Sequence, residues 1–459
     1  MRAGFDALRA EPQRPSHALD ALGSALCRGG AHDLAAVLPA PVAPPELLLG
    51  FDSASPCTVW IDGESSWTTL GAARAVALRG SMTPADRADV ARMADAIAVE
   101  DLSGSFVHSI RLVGGTAFDP ARAHDRPWEH HGAGRFVLSR WSYVRDADRA
   151  WLVVLAGADT RGDAARRGQL MAATARLLDF LADPPRRTSA RSQLTDLDDD
   201  TDDRWLALVG AAREAVAAGR ARKIVAARAR HLRSDAESDP TRVVRELAKA
   251  QPKCVIYAFR FGGATFVGAT PETLVERVGR RVRSEALAGS APAGDVQQLL
   301  ASAKDRHEHA CVVGDVAARL AASCERVTCP TTPGVRALRD VAHLHTPIEG
   351  VLRRDTHVLD LVRALHPTPA VAGTPCDVAL RWIAAEERST RGWYAGPVGW
   401  CDTNGDGRFV VALRAAMLRG RDVWTFAGAG IVEGSEPERE LQEVRWKERA
   451  ILRALGSAP

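Results

Sequence analysis

Short apolar runs separated by polar, glycine-containing turns dominate the first part of the chain. CTVWI, FVHSIRLVGG, RFVLSRWSYV, AWLVVLAG and PELLLGF have the length and spacing of strands. TPADRADVARMADAI and RRGQLMAATARLLDFLA instead carry a helical period. Trp128, His130 and His131 cluster without a partner motif and are expected on a surface loop. Residues 184–203, PPRRTSARSQLTDLDDDTDD, are proline-led and then acidic, which predicts a linker or exposed loop between a first region, 1–183, and a second, 204–459.

The periodicity strengthens from Arg204. RWLALVGAAREAVAAG predicts a helix and KIVAARARHL a strand that opens on Lys223. A snorkelling strand end would also explain that lysine. TRVVRELAKA is helical, and CVIYAFRF and ATFVGATPETLVERV are strands, with Glu272 at a TPET turn where capping is the ordinary role. SEALAGSAPAG places Gly289 and Ser290 in a bend of small residues. It leads into one helix, QLLASAKDRHEHACVVGDVAARLAA, on which Asp305 and Glu308 stand at i, i+3. DVAHLHTPIEG contains His343, and LHPTPAVAGTP, with Ala370, is too proline-rich for an element interior and predicts a fixed loop. After the helix CDVALRWIAAEER, RGWYAGPVGWCDTNGDGRFVVALRAAML reads as a hairpin containing Tyr394. Arg414 interrupts its apolar run and must find an anion or lose a large desolvation energy.

The segment AGAGIVEGSEPERELQEVRWKERAILRAL predicts a strand, a glycine turn and a helix. It aligns Glu440, Glu443 and Lys447 on one helical face behind Gly428 and Gly430, whose bare backbone lets an anion approach. Two acidic i, i+3 pairs on separate helices suit a hard divalent cation, although such pairs also occur on solvated faces. Zinc through His307, Glu308, His309 and Cys311 would need HExxH where the chain reads HEHAC. Calcium at DTNGDG would need a glutamate where Leu413 stands. GAGIVEG lacks the βαβ context of a dinucleotide fingerprint.

Composition narrows the partners. A net charge of +3 from 60 basic and 57 acidic residues makes no case for nucleic acid. The N-terminus has no apolar leader and no window approaches a membrane span, so a soluble cytoplasmic protein is expected. Eight cysteines without CxxC spacing fit free thiols in a reducing compartment.

In this order, KIVAARAR, TPETLVER, ALAGS, KDRHEH, HLHT, LHPTPAVAGTP, RGWYAGPVGW, VALRAAM and AGAGIVEGSEPERE resemble the chorismate-utilising enzymes over roughly residues 204–455. The stretch between Gly289 and Lys304 looks shorter than the family's. The resemblance implies an α/β (α+β) fold of two face-packed β-sheets flanked by helices, with the first 183 residues adding strands to a common core. It implies Mg²⁺ held by Glu308 and Glu443 with support from Asp305 and Glu440. Chorismate would be bound through Gly289, Ser290, His343, Ala370, Tyr394, Arg414, Gly428 and Lys447. Family members that add water carry a lysine where Lys223 stands, whereas those using ammonia lack it and work with an amidotransferase subunit. The implied reaction is therefore that of an isochorismate synthase, in a monomer with no amidotransferase partner. Lys223, its pKa lowered towards neutrality, would take a proton from water at C2, and Glu272, kept protonated by apolar surroundings, would give one to the departing C4 hydroxyl. Salicylate synthase, which goes on to eliminate pyruvate, is the runner-up. Its lyase members tend to carry a hydroxyl residue where Ala370 lies. A non-catalytic chorismate-binding regulator is the remaining alternative. The family's isochorismate serves menaquinone, catecholate siderophores or salicylate.

Overall fold

Cys57–Ile61 and Ser66–Leu78 form an antiparallel hairpin, and Ser66–Leu78 pairs in turn along nearly its whole length with Gly134–Arg145. The computed structural model in which these elements are seen describes residues 15–28, 32–63, 65–185, 192–198 and 201–456. The expected leader-free start, residues 1–14, lies outside the described residues, as do 186–191 and 199–200 of the expected linker.

Gly134–Arg145 belongs to two sheets at once. Its later residues pair with Ala150–Ala156, and Ser66–Leu78 carries the same sheet on through Cys57–Ile61, Val255–Phe261, Ala264–Thr270, Ala415–Arg419 and Asp422–Val432 to Lys223–Ser234. Its earlier residues pair with Arg111–Thr116, and a second sheet continues through Pro397–Asp402, Gly407–Val411, Thr273–Val278 and Arg281–Pro292 to Val341–Leu352. The inner faces share one core, to which Trp60, Phe259 and Phe266 come from the first sheet and Val113, Val275 and Phe409 from the second. Strands from before and after residue 184 are thus hydrogen-bonded neighbours in both sheets.

Helices cover the outside. Pro240–Ala250 starts where the Asp239 carboxylate accepts from the Thr241 N–H at 3.0 Å, and it buries Val243, Val244 and Leu247. Each such side chain contributes about 1.5–3 kcal/mol. Pro15–Cys27, Ala164–Ala182 and Pro437–Leu455 bury Leu22, Leu178 and Ile451 in the same layer. No helix among the described residues is long and apolar enough to cross a membrane.

Several elements differ from the pattern reading. PELLLGF is a 3-10 helix, Pro45–Gly50, because Pro45 and the packing of Leu48 and Leu49 favour a tight turn over extension. The helix expected over QLLASAKDRHEHACVVGDVAARLAA is two, Val296–Ala301 and Ala303–Ala321. The break lies at Ser302, whose hydroxyl caps the second helix by accepting from the Asp305 N–H at 3.2 Å. Leu194–Asp196 is a strand beside Lys223–Ser234, and the acidic Thr201–Asp203 opens the helix Thr201–Ala217. Trp128 and His131 are not on a surface loop. Both are buried, with Trp128 5.0 Å from Phe266 and 5.2 Å from Phe426, and the His131 Nε2 3.1 Å from the Phe259 carbonyl. Their polar sequence neighbours give no sign that this turn folds inwards.

Candidate active site

The strand break at Pro271 and Glu272, the paired strands Lys223–Ser234 and Asp422–Val432, and the first turns of Ala303–Ala321 and Pro437–Leu455 enclose one cavity. Of the residues expected at a site, Glu272, Gly289, Ser290, Asp305, Glu308, His343, Ala370, Tyr394, Arg414, Gly428, Glu440, Glu443 and Lys447 all line it. Lys223 does not itself line it but stands directly behind two residues that do: its ammonium lies 2.7 Å from Glu308 Oε1, beside Gly430.

The acidic pairs come from two facing helices. Burial, joined by the nearby Glu308 and Glu443 charges, raises the pKa of Asp305. Burial and then Glu443 push Glu440 up to about 7. Burial opposes ionisation of Glu308 as well, but the Lys223 ammonium holds its pKa below the ordinary value. Lysines answer part of this charge: Lys447 Nζ is 2.6 Å from Glu443 and Lys304 Nζ is 3.6 Å from Glu440. Among the described residues no three His, Cys, Asp or Glu side chains already stand in coordinating geometry. Mg²⁺ does not need them, since it usually takes one or two carboxylates and completes its shell with water and substrate oxygens. Converging carboxylates whose charges help to raise the pKa of Asp305 and Glu440 fit such an ion.

Glycine makes the lysine–glutamate contact possible. A Cβ at Gly430 would stand 2.8 Å from Lys223 Cε and 3.1 Å from Glu308 Oε1. Gly430→Ala should therefore keep the fold, because the crowded lysine end is flexible, yet lower activity by about 10²-fold through displacement of the amine. Thermal melting alongside a turnover assay checks both halves of this expectation.

Glu272 stands opposite in character. Its carboxyl has no side-chain hydrogen bond among the described residues. Burial first, then the charge of Glu285, pushes its pKa up to about 8. Its backbone is fixed on both sides, the N–H 3.2 Å from Thr270 Oγ1 and the carbonyl accepting from the Val411 N–H at 3.1 Å.

Another wall of the cavity is built around Arg414. It does not lie within a strand as the pattern predicted. It sits between Gly407–Val411 and Ala415–Arg419 with φ +51°, which turns its side chain out of the ladder and into the cavity. Buried, it donates to His343 Nε2 at 2.8 Å, and among the described residues no carboxylate meets it. Burial and then Arg414 hold His343 well below its usual pKa. Since its Nε2 accepts from arginine, the Nδ1 carries the proton, 3.1 Å from Ser290 Oγ and 3.2 Å from the Gly289 carbonyl. Gly289 and Ser290 are a bulge inside Arg281–Pro292 and not a bend. Gly289 has φ +75°, and its missing side chain leaves room for Asp305. Lys447 also donates to the Gly428 carbonyl at 2.9 Å, so part of the glycine backbone expected to face an anion faces an ammonium. Tyr394 stacks on Phe426 at 5.5 Å.

Three features of the site escaped sequence reading. Lys304 lines the cavity directly after the Ser302 cap. Arg391 is spent on scaffolding: it bonds Glu387 and the carbonyls of Val371 and Val225, at 2.8 and 2.7 Å, and so ties the proline-rich loop to the strand of Lys223. Glu285, whose charge acts on Glu272, sits in the SEALAGS segment, and an acidic residue among apolar strand positions was the available signal.

A family model described as "Chorismate binding enzyme" matches residues 52–456. The isochorismate synthase MenF of Bacillus subtilis is 34% identical over 75% of this chain and 74% of its own length. The salicylate biosynthesis isochorismate synthase of Pseudomonas aeruginosa is 34% identical over 88% of this chain and 86% of its own. The solved structure of the menaquinone-specific isochorismate synthase MenF of Escherichia coli superposes with a TM-score of 0.77 at 25% identity, covering 96% of this chain and 99% of that one. An anthranilate synthase component I from Streptococcus pneumoniae, at 19% identity and a TM-score of 0.65, shares the fold. The chain belongs to the chorismate-binding enzymes.

Proposed function

We propose that this chain is an isochorismate synthase, which adds water at C2 of chorismate with loss of the C4 hydroxyl. The observation that carries the reading is the setting of Lys223 and Glu272: both are buried, Glu272 lining the cavity with its proton held by burial and Lys223 meeting the cavity's carboxylates through Glu308. Relatives named isochorismate synthase support it.

Arg414, Lys447 and the Gly428 backbone hold the substrate's carboxylates, giving the buried guanidinium its anion. Glu308 and Glu443 would hold Mg²⁺, with Asp305 and Glu440 in support, and the ion would supply positive charge to the ring carboxylate of chorismate. Lys223, once its ammonium has given up a proton to solvent, acts as the base towards water; its ion pair with Glu308 must open first, which would also leave that carboxylate available to a cation. Glu272 delivers its proton to the departing C4 oxygen, which leaves as water. His343, neutral and fixed between Arg414 and Ser290, orients the guanidinium without adding charge. Ala370 offers no polar group for the proton transfer that pyruvate elimination needs, so the reaction ends at isochorismate. No amidotransferase partner is called for, and the protein works as a cytoplasmic monomer.

Purified protein incubated with chorismate and Mg²⁺, its products separated by chromatography, tests this. Isochorismate alone is expected, and excess chelator should abolish it. Stoichiometric pyruvate and salicylate would make the protein a salicylate synthase, and full activity in chelator would remove the metal role of the glutamates.

A further inference from the structure

Behind the strand break that carries Glu272 lies a second cleft, which shares Pro271 with the cavity and is lined by Glu285, Arg336 and His345. These side chains come from three adjacent strands, Arg281–Pro292, Gly334–Ala337 and Val341–Leu352. The Glu285 carboxylate accepts from Arg336 Nη1 and Nη2 at 2.8 and 2.7 Å and from the Thr273 N–H at 2.6 Å. Arg336 Nη1 also donates to the Pro271 carbonyl. His345 Nε2 lies 2.9 Å from both Glu285 and Arg336, so it either accepts from the guanidinium or donates to the carboxylate.

Pro271 and Thr273 are the chain neighbours of Glu272. One bidentate ion pair therefore grips the peptide on each side of the acid from outside the cavity. We propose that Glu285 and Arg336 are a positioning pair for the proton donor, fixing the Pro271–Glu272–Thr273 peptide and setting a permanent negative charge behind the Glu272 carboxyl. This rests on reading Glu272 as the donor.

The electrostatics agree with the geometry. Burial opposes ionisation of Glu285, yet the His345 and Arg336 bonds hold its pKa at about 2, so it is charged at any working pH. After burial, Glu285 is the strongest influence raising Glu272, while Lys223, Lys447 and Arg336 act in the opposite direction. A pair that merely stitched three strands together would affect stability and leave the acid's titration alone.

Glu285→Gln keeps the size and most of the hydrogen bonds but removes the charge. The pH profile of kcat/KM for chorismate should then lose its alkaline side roughly one pH unit lower than wild type, with KM at low pH unchanged. The C=O stretch of the protonated carboxyl, assigned in difference infrared spectra by its absence from Glu272→Gln, should disappear over the same lowered range. Glu285→Asp, which keeps the charge, should leave the alkaline limb in place, and it serves if the glutamine variant does not fold. Arg336→Lys keeps a cation but loses the fork, so kcat should fall severalfold at every pH with the limb unmoved. A Glu285→Gln protein that melts earlier but keeps both the limb and the infrared titration of wild type would overturn the proposal, as would a Glu285→Asp protein whose limb moves. Full activity in Glu272→Gln, with the infrared shift intact in Glu285→Gln, would leave the coupling standing and remove only the donor role.

Discussion

Lys223→Ala should lower kcat by about 10²- to 10⁴-fold, the usual worth of one positioned proton-transfer group, while chorismate still binds. Arg414, Lys447 and the Gly428 backbone are untouched by the change, so calorimetry of chorismate binding at saturating Mg²⁺ should give an affinity close to wild type. The truncation also removes the ammonium that lies 2.7 Å from Glu308, and a buried carboxylate without its partner ionises less readily. The variant should therefore need more Mg²⁺ for half-maximal binding at low pH than wild type does. Near-wild-type turnover in this variant would show that another group activates water and would undo the assignment to the hydrating branch of the family.

Glu272→Gln should be as damaging, and equally so in both directions of the reaction. Glutamine keeps the shape of the acid and withholds its proton, so the C4 oxygen is left as a poor leaving group. Because the acid of the forward reaction is the base of the return, both kcat/KM values must fall by the same factor, since the equilibrium constant is fixed. In the wild type the pKa of Glu272 is raised to about 8, so the protonated donor is present below that pH and is lost as pH rises through it. Forward kcat/KM should decline above about pH 8, and return kcat/KM should follow the same profile, because the form that carries the return, with Glu272 ionised and Lys223 protonated, holds the same number of protons. Measuring both directions across pH 6 to 10, with and without the substitution, would show whether the limb belongs to this residue, because Glu272→Gln should lack it.

Much of this is legible in the sequence, where local chemistry and local structure coincide. Lys223 opens the strand Lys223–Ser234 as its alternation suggested, and Glu440, Glu443 and Lys447 share a helix face because their spacing is a property of any helix. Arg414 could be flagged because an arginine in an apolar run carries its own desolvation argument. What could not be read was tertiary. Nothing in the spacing of Glu308 and Lys223 says that they meet, since that contact depends on Gly430 being bare and on two distant segments being brought together. Trp128 and His131 looked like a surface loop because their burial comes from sequence-distant residues, Phe266 and Phe261 on strands and Trp393 in a turn. The Ser302 break was local, yet its apolar surroundings continued the helical period across it and masked the cap.

The pairing of Lys223–Ser234 with Asp422–Val432 has a consequence for biosynthesis. While the ribosome is still making the second half of the chain, the strand bearing Lys223 has been synthesised but its long-range partner has not, and its backbone N–H and C=O groups form an open edge. Such an edge recruits other nascent chains, and pairings across so much sequence form slowly. The protein should therefore depend on chaperone cover late in translation. A ribosome stalled before Asp422 should carry a chain that captures chaperone and resists becoming protease-resistant, whereas release after the helix Pro437–Leu455 should let the edge close and the cavity form in a single late step.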